Sequence, residues 1–205
     1  MILVTGGAGF IGSNLVDRLV DLNYEVLVID DLSTGFESNI KNINKIKFIK
    51  KNINDLKIDD LPEISLVYHL SAQTSVPKSV LDLYNSSSNN LLSSLWVFDL
   101  AIKRKIPFIY ASSSSVYGNL PVGNDLNSNF DILSPYALDK LTLEKYSKLL
   151  WNLYNVPSIG FRFFNVYGPK QDPNSTYSGV ISIFIRNLIK GENIKLNGGY
   201  QTRDF

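Results

Sequence analysis

A glycine-rich turn follows directly on the first apolar residues of the chain. Residues 1–4 are the apolar run Met-Ile-Leu-Val, and residues 5–12 read Thr-Gly-Gly-Ala-Gly-Phe-Ile-Gly. An apolar residue then recurs at every third or fourth position, which is the spacing of a helix that buries one face. The members of this series are Ile11, Leu15, Leu19 and Leu22. The pattern predicts a strand, a tight turn and a helix, in that order.

The spacing of the glycines matches the fingerprint of a dinucleotide-binding turn. Gly7, Gly9 and Gly12 fit the pattern G-x-G-x-x-G. Glycine lets the backbone turn sharply and approach a ligand closely, and the free N–H groups at the start of a helix attract a pyrophosphate. Glycine-rich turns also occur in loops that bind no phosphate, so the interpretation depends on the surrounding residues.

Asp30 supports the dinucleotide interpretation because it ends a second predicted strand. This strand is the apolar stretch at residues 25–29, and its distance from the glycines suits the acidic residue that binds an adenosine ribose. A carboxylate here accepts hydrogen bonds from the ribose diol and would repel a 2′-phosphate, so we expect NAD rather than NADP as the cofactor. The alternative interpretation of Asp30 and Asp31 is a solvated strand end.

Composition argues against several other classes of protein. The 205 residues, 44% of them hydrophobic, suit one domain or slightly more. Twenty basic and nineteen acidic residues give no charge excess that would favour a nucleic acid or a membrane surface as partner. The absence of cysteine excludes disulfides and thiolate sites, and a single histidine argues against a metal cluster. No apolar run approaches the ~20 residues of a membrane span, and no basic leader precedes the first strand, so we expect a cytoplasmic protein.

The rest of the chain alternates predicted strands and helices, which is typical of an α/β fold. Further strands are expected over residues 46–49, 65–70 and 107–111, and residues 71–78 are expected to form an exit loop. A helix over residues 89–104 carries apolar residues around most of its surface. Such a helix should contact the sheet and a second body, for example another subunit.

A tyrosine and a lysine lie at helical spacing downstream of a serine run. Ser113 belongs to the run Ser-Ser-Ser-Ser after the fifth strand, and ligands of open α/β sheets lie at the carboxyl ends of strands. Pro135 fits the first turn of an amphipathic helix, in which Tyr136 and Lys140 share one face. An ammonium and an oxidised nicotinamide would lower the pKa of the phenol and make it a useful base.

Further stretches complete a pattern that covers essentially the whole chain. They are His-Leu-Ser-Ala-Gln at 69–73, Arg-Phe-Phe-Asn-Val-Tyr-Gly-Pro at 162–169, residues 172–182, and Gln-Thr-Arg-Asp-Phe at 201–205. Together with the motifs above, they resemble the extended short-chain dehydrogenase/reductase superfamily, and within it the UDP-glucose and UDP-N-acetylglucosamine 4-epimerases. That family continues well beyond the Arg-Asp-Phe match, so the resemblance implies a C-terminally truncated chain.

The resemblance implies a fold and two domains. Residues 1–165 would form an NAD-binding Rossmann-like domain, with a doubly wound parallel sheet and the Ser/Tyr/Lys site. Residues 166–205 would begin a smaller C-terminal substrate domain. The expected assembly is a homodimer that packs through helices 89–104 and 136–154.

The resemblance also implies roles for individual residues. The catalytic residues would be Ser113, Tyr136 and Lys140. The cofactor-binding residues would be Gly6, Gly9, Phe10, Ile11, Gly12, Asp30, Asn52, Leu70, Ser71, Ala72, Asn90, Tyr136, Lys140 and Phe163. The substrate-binding residues would be Gln73, Ser75, Ser113, Asn165, Val180 and Arg203. His69 is expected to be a hydrogen-bonded core residue rather than a member of the site.

The implied reaction is the NAD-dependent C4 epimerisation of a UDP-hexose through a 4-keto intermediate. Related dehydratases and decarboxylases carry an acidic residue just before Val-Tyr-Gly, where this chain has Ser115, so elimination chemistry is not expected. Two alternatives stay open from the sequence. One is an epimerase of another nucleotide sugar, such as UDP-glucuronate, and the other is a non-catalytic NAD-binding protein.

Overall fold

Parallel strands form the centre of the molecule. The computed structural model describes residues 1–120, 129–173, 179–194 and 196. The strands within these residues are β1 Ile2–Thr5, β2 Val26–Asp30, β3 Lys47–Lys50, β4 Leu66–His69, β5 Phe108–Ser113 and β6 Ser158–Phe163. They pair in the order β3-β2-β1-β4-β5-β6, and all neighbours run parallel.

The strand order explains where a ligand can bind. The chain builds the sheet outwards from β1 in one direction and then from β4 in the other, so the order reverses between these two strands. At such a reversal, the loops that follow the two strands turn away from each other and leave a crevice at the carboxyl ends of the strands. The predicted Rossmann-like, doubly wound sheet is therefore confirmed, and its reversal point lies beside the glycine turn.

Helices cover both faces of this sheet. They are α1 Phe10–Asp21, α2 Val76–Leu81, α3 Leu83–Arg104, α4 Pro135–Tyr154 and α5 Val180–Lys190. One-turn 3₁₀ helices occur at Glu37–Asn39, Ile43–Lys45, Ile53–Asp55, Ile58–Asp60 and Ser114–Tyr117. None of the helices within the described ranges is both long enough and apolar enough to cross a membrane.

Local sequence fixes the ends of the two helices that carry the predicted site. The side chain of Ser134 accepts a hydrogen bond from the N–H of Ala137, and Pro135 occupies the first helical turn of α4. Asp82 caps α3 by accepting from the N–H of Asn85. Both helices end at a residue in the left-handed conformation, Lys105 in α3 and Asn155 in α4.

The core lies in two layers, one on each face of the sheet. Between the sheet and helices α3 and α4, the ring of Phe108 is fully buried and packs 5.2 Å from the ring of Phe98. On the opposite face, Val4 and Val28 pack against Val16 of α1. Apolar burial on both faces explains the uninterrupted apolar runs of β1 and β2.

Several predicted boundaries were wrong. Helix α3 begins at Leu83 rather than at residue 89, because Asp82 provides a cap that lies outside the apolar pattern. The last residues of the expected exit loop, 76–78, belong instead to α2, whose N-cap is Ser75. Strand β5 continues into the serine run as far as Ser113, and neither β6 nor α5 was predicted.

Truncation of Phe108 should test the larger core layer. We expect Phe108→Ala to lower the free energy of unfolding by about 3–5 kcal/mol, because it leaves a cavity between two packed layers. Phe36 is 53% exposed, so the matched variant Phe36→Ala should cost about 1 kcal/mol or less. Urea denaturation of both variants measures the difference, and similar losses would contradict this description of the core.

Candidate active site

The glycine turn joins β1 to α1 with no room for a Cβ at Gly6, Gly7 or Gly12. Gly6 adopts a positive φ of 69°, and a Cβ there would lie 2.6 Å from the backbone nitrogen of Ser71. A Cβ on Gly12 would lie 2.1 Å from the carbonyl oxygen of Gly6. Gly9 differs, because a Cβ there would meet only this same oxygen, at 3.3 Å. Packing therefore requires glycine at positions 6, 7 and 12 but leaves open space beside Gly9.

Phe10 and Ile11 open α1 directly after this turn, and both side chains are half-buried. No side chain caps the helix start at Gly9. The first N–H groups of α1 therefore face the carboxyl edge of the sheet without a side-chain partner, as an anion-binding helix start requires.

Asp30 lies on one side of the turn and is not a solvated strand end. Its side chain is 9% exposed and accepts hydrogen bonds from the N–H groups of Ala8 at 2.9 Å and Leu32 at 2.8 Å. Burial raises the pKa of Asp30, the two N–H groups lower it, and Asp31 adds a smaller raising effect. Each carboxylate oxygen keeps a second lone pair that a ribose hydroxyl could reach.

Asn52 lies near this edge, after β3. Its carbonyl oxygen accepts from the N–H of Asn54 at 3.0 Å, and its amide donates to Asp31 at 3.2 Å. The side chain therefore caps a 3₁₀ turn, and its amide nitrogen is oriented by a carboxylate. Its predicted contact with the adenine remains a prediction.

The loop after β4 lies on the other side of the turn. Leu70, Ser71 and Ala72 are half-buried there, and the Oγ atom of Ser71 is buried with no hydrogen-bond partner. A buried hydroxyl without a partner is costly unless a ligand or water satisfies it. This atom is therefore available to a bound group at the point where the sheet order reverses.

Gln73, Ser75 and Asn90 have partners within the protein. The amide of Gln73 donates to Ser75 at 3.0 Å and to Ser86 at 2.9 Å, and Ser75 caps α2. The side-chain oxygen of Asn90 accepts from the N–H of Gln73 at 2.8 Å. In this arrangement the three side chains shape the loop.

Ser113, Tyr136 and Lys140 come together at the end of β5. The Ser113 hydroxyl lies close enough to the Tyr136 phenol to lower its pKa, and both residues are less than 10% exposed. The Nζ atom of Lys140 lies 5.7 Å from the centre of the Tyr136 ring and donates to the carbonyl of Ala111 at 2.8 Å. The backbone N–H of Tyr136 donates to Ser79 at 3.2 Å, so α2 helps to fix the start of α4.

Burial dominates the proton affinities of this group. Burial raises the pKa of the Tyr136 phenol, the hydrogen bond from Ser113 lowers it, and the charge of Asp139 raises it. Burial lowers the pKa of Lys140 to about 8, with Asp139 acting in the opposite direction. The protein without ligand therefore keeps the phenol protonated, and the expected lowering of the tyrosine pKa must come from a bound cation such as an oxidised nicotinamide.

The last predicted site residues lie in and after β6. Phe163 pairs in register with Ser113 across β5 and β6, which brings it beside the predicted catalytic residues. Asn165 follows on the exposed segment after β6, and Val180 is the 43% exposed first residue of α5. Arg203 lies outside the described residues.

An ion pair that the sequence interpretation missed holds the end of β5. Arg162 donates to both carboxylate oxygens of Glu144, at 2.8 and 2.7 Å, and Glu144 accepts from Ser112 at 2.5 Å. The guanidinium of Arg162 also lies 5.0 Å from the centre of the Tyr117 ring. The pair ties α4 and β6 to the residue before Ser113. An arginine within an otherwise uncharged strand was the only sequence signal for it.

A second missed contact joins the segment after β6 to α1. We call residues 166–173 the strap. The ammonium of Lys170 donates to Asp17 at 2.5 Å and to the carbonyl of Ser13 at 3.0 Å. The amide of Asn14 donates to the carbonyl of Pro169 at 3.0 Å. The strap is thereby fixed to the helix whose start would hold a pyrophosphate.

Comparison with known proteins agrees with this geometry. The family model described as "NAD dependent epimerase/dehydratase family" matches residues 2–205. The chain belongs to this family. The UDP-glucose 4-epimerase of Mycolicibacterium smegmatis is 38% identical over 218 residues, which span 99% of this chain and 68% of the relative.

Two solved epimerase structures resemble this one closely. A UDP-N-acetylglucosamine 4-epimerase from Methanobrevibacter ruminantium, solved with UDP-N-acetylmuramic acid, superposes with a TM-score of 0.87 at 39% identity. The similarity covers 94% of this chain and 63% of that one. A Thermus thermophilus UDP-glucose 4-epimerase in complex with NAD gives a TM-score of 0.82 at 32% identity, with 94% and 64% covered. The chain thus spans slightly less than two thirds of the length of these structures.

The residues present fit the NAD of this epimerase/dehydratase family. Three features lie around the reversal point of the sheet. Beside Gly9 there is space that a Cβ would fill, α1 starts without a side-chain cap, and the hydroxyl of Ser71 has no partner. Asp30 supplies a carboxylate for a ribose diol on the β2 side. NAD is the cofactor of this protein.

Substitution of Gly9 and Gly12 should separate ligand binding from folding. We expect Gly9→Ala to change the free energy of unfolding by about 1 kcal/mol or less, and to raise the Kd for NAD at least about tenfold, because its methyl group occupies the open space. Gly12→Ala should instead lower the free energy of unfolding by about 1–3 kcal/mol, because the helix cannot approach β1.

Calorimetric titration with NAD and urea denaturation measure the two effects. Unchanged NAD affinity in Gly9→Ala would show that the open space beside Gly9 is not part of the cofactor site.

Proposed function

We propose that the protein catalyses the NAD-dependent C4 epimerisation of a UDP-hexose through a 4-keto intermediate. The observation that supports this most is that Ser113, Tyr136 and Lys140 come together at the end of β5, all three nearly buried, with the ammonium of Lys140 beside the Tyr136 ring. An acid–base pair beside a nicotinamide site suits the oxidation of an alcohol. The names of the similar epimerases point to the same reaction.

In the proposed reaction, Tyr136 as phenolate takes the proton of the sugar 4′-hydroxyl. Ser113 shares the hydrogen bond of that hydroxyl and keeps it aligned with the phenolate. NAD, held by the glycine turn, Asp30 and the loop after β4, would supply the acceptor for the hydride of C4′ and the donor for its return. Because the alcohol loses one proton and one hydride, the sugar becomes a 4-keto species. Return of the hydride to the opposite face of C4′ and of the proton to the 4′-oxygen gives the C4 epimer and restores the Tyr136 phenolate.

Lys140 has two tasks in this scheme. Its pKa of about 8 leaves it mainly protonated at neutral pH, so it offers positive charge to the tyrosine and donors to the nicotinamide ribose. Its bond to the carbonyl of Ala111 holds the ammonium against β5. Burial and, to a smaller extent, the charge of Asp139 raise the pKa of the Tyr136 phenol, and the positive charge of the oxidised cofactor would favour its ionisation.

The proposed substrates are UDP-glucose with UDP-galactose, or their N-acetyl forms. Gln73, Ser75, Asn165, Val180 and Arg203 are the proposed substrate contacts besides Ser113. Ser115 stands where elimination chemistry would need a carboxylate, and its Oγ atom is buried without a partner. We place the boundary of the NAD-binding domain at residue 165, just after β6, and assign 166–205 to the substrate-binding region.

Replacement of the tyrosine tests the reaction. We expect this chain with NAD to convert UDP-glucose or UDP-N-acetylglucosamine to the C4 epimer, and Tyr136→Phe to lower kcat by about 10²–10⁴-fold. Tyr154 lies at the exposed end of the same helix, so Tyr154→Phe is the matched control and should keep full activity. Proton NMR of the anomeric signals measures conversion.

NAD binding is measured on the same samples. Turnover by Tyr136→Phe within a few-fold of the parent would overturn the catalytic assignment. Bound NAD without conversion of any UDP-sugar would favour a non-catalytic NAD-binding protein.

We further propose a homodimer that packs through residues 89–104 of α3 and 136–154 of α4. Leu91, Leu95, Phe98 and Tyr146 line a shallow apolar groove between these helices. Other apolar side chains on the same two helices are exposed, namely Leu92, Leu138, Leu149, Trp151 and Leu153. Contiguous apolar surface of this kind marks an interaction site.

A charge in the groove should dissociate the dimer. We expect sedimentation velocity to give the mass of two chains for the parent and of one chain for Leu95→Glu, because a carboxylate would be buried unpaired. Leu22, half-exposed at the end of α1, provides the control Leu22→Glu, which should stay dimeric. A monomeric parent at micromolar concentration would contradict the proposed assembly.

A further inference from the structure

Three polar side chains are buried between β1, β4 and α3. Thr5, His69 and Ser94 are each 3% exposed or less. The Nδ1 atom of His69 lies 2.8 Å from the hydroxyl of Thr5, its partner in the β1–β4 register. The Nε2 atom lies 3.0 Å from the hydroxyl of Ser94. Both ring nitrogens therefore have a hydrogen-bond partner, and the prediction of a hydrogen-bonded core histidine is confirmed.

The neighbours of the histidine fix the positions of the protons. Ser94 donates its hydroxyl proton to the carbonyl of Asn90 at 2.6 Å, so its oxygen must accept from an N–H at Nε2 of His69. A neutral imidazole has one N–H, so Nδ1 is an acceptor and Thr5 donates to it. The chain of bonds assigns the Nε2–H tautomer to His69.

Thr5 links His69 to the loop at residues 70–73. Its hydroxyl oxygen accepts from the backbone N–H of Ser71 at 3.3 Å and from the N–H of Leu70 at 3.2 Å, which Leu70 shares with the carbonyl of Thr5 at 3.1 Å. With its own proton donated to His69, the hydroxyl has both lone pairs in use. A protonated imidazole would point an N–H at an oxygen with no lone pair left.

The charge environment keeps the imidazole neutral. Burial lowers the pKa of His69 to about 3, and the positive charge of Lys140 on α4 acts in the same direction. The neighbours that bond to the ring, Thr5 on β1 and Ser94 on α3, are uncharged hydroxyls.

Asp139 holds the far end of the same loop through Asn90. The amide of Asn90 donates to Asp139 at 3.1 Å and to the carbonyl of Gln73 at 3.3 Å, while its oxygen accepts from the N–H of Gln73. Ser87 also donates to Asp139 at 3.1 Å. The carboxylate is 3% exposed, and it orients the amide because only the NH₂ side of an asparagine can face an acceptor.

We propose that His69 and Asp139 are positioning residues for the NAD-binding loop 70–73. His69 acts through Thr5 on the first two residues of the loop, and Asp139 acts through Asn90 on the last. Ser71 and Ala72, which face the proposed NAD site, lie between these two anchors. The inference rests on the NAD site of the proposed function.

The single histidine of the chain makes the tautomer directly measurable. Protein labelled with ¹⁵N and purified without a histidine tag gives one imidazole pattern in a long-range ¹H–¹⁵N spectrum. We expect an N–H at Nε2, a bare Nδ1, and no protonation between pH 8 and 5. An N–H at Nδ1, or titration near the ordinary pKa of 6.5, would overturn the role of His69.

Matched pairs of variants test the link to the cofactor. We expect Ser94→Ala to raise the Kd for NAD about threefold to tenfold and to weaken the Nε2–H preference of His69. Ser94→Thr keeps the hydroxyl, so its Kd and its tautomer preference should match those of the parent. Asp139→Ala should raise the Kd by a similar factor. Asp139→Asn retains an acceptor oxygen for the amide of Asn90 and should stay closer to the parent.

A core variant separates positioning from general loss of stability. Val97 is fully buried one turn further along α3, so Val97→Ala should lower stability without changing NAD affinity. NAD affinities within twofold of the parent in folded Ser94→Ala and Asp139→Ala would overturn the proposal. A parent chain that binds no NAD would refute the proposed function together with this role, whereas the wrong tautomer would refute only the role of His69.

Discussion

The close contact between α1 and the glycine turn is the constraint on which the rest of the site depends. A side chain at Gly12 would collide with the backbone of Gly6, so this helix can reach its place only without one. Its start then lies at the carboxyl edge of the sheet, where the strand order reverses. Asp30 ends the neighbouring strand on one side, and the loop at 70–73 follows the strand on the other. The cofactor site is thus a consequence of parallel pairing around β1.

Buried polar bonds, more than ions at the surface, hold Ser113, Tyr136 and Lys140 in place. Lys140 is almost fully buried and meets a backbone carbonyl, and Glu144 with Arg162 fixes the strand that carries Ser113. A buried polar network of this kind is favourable only when every member is satisfied. Among the described residues, the hydroxyl of Ser71 is one of three buried side-chain atoms without a hydrogen-bond partner, and it lies beside the point where the strand order reverses.

Local sequence patterns gave the parts of the site that depend on contiguous residues. The glycine spacing, the acidic end of β2 and the shared helix face of Tyr136 and Lys140 follow from backbone geometry over a few residues, so they could be predicted. Strand β6 was missed because its apolar residues alternate with serine, glycine and arginine, and half of it is exposed. The partners of Gln73 and Asn90 could not be predicted, because they join residues that only tertiary packing brings together.

The strap limits the order in which contacts can form while the chain is being synthesised. The bond from Lys170 to Ser13 spans 157 residues of sequence, so the exposed side of α1 must wait for its partner until most of the chain has left the ribosome. Strands β1 and β2 and the helix between them are close in sequence and can pair early. The nascent protein can therefore have a formed glycine turn while the outward-facing side of α1 is still uncovered. Only the arrival of residues 166–173 gives Asp17 its counter-ion.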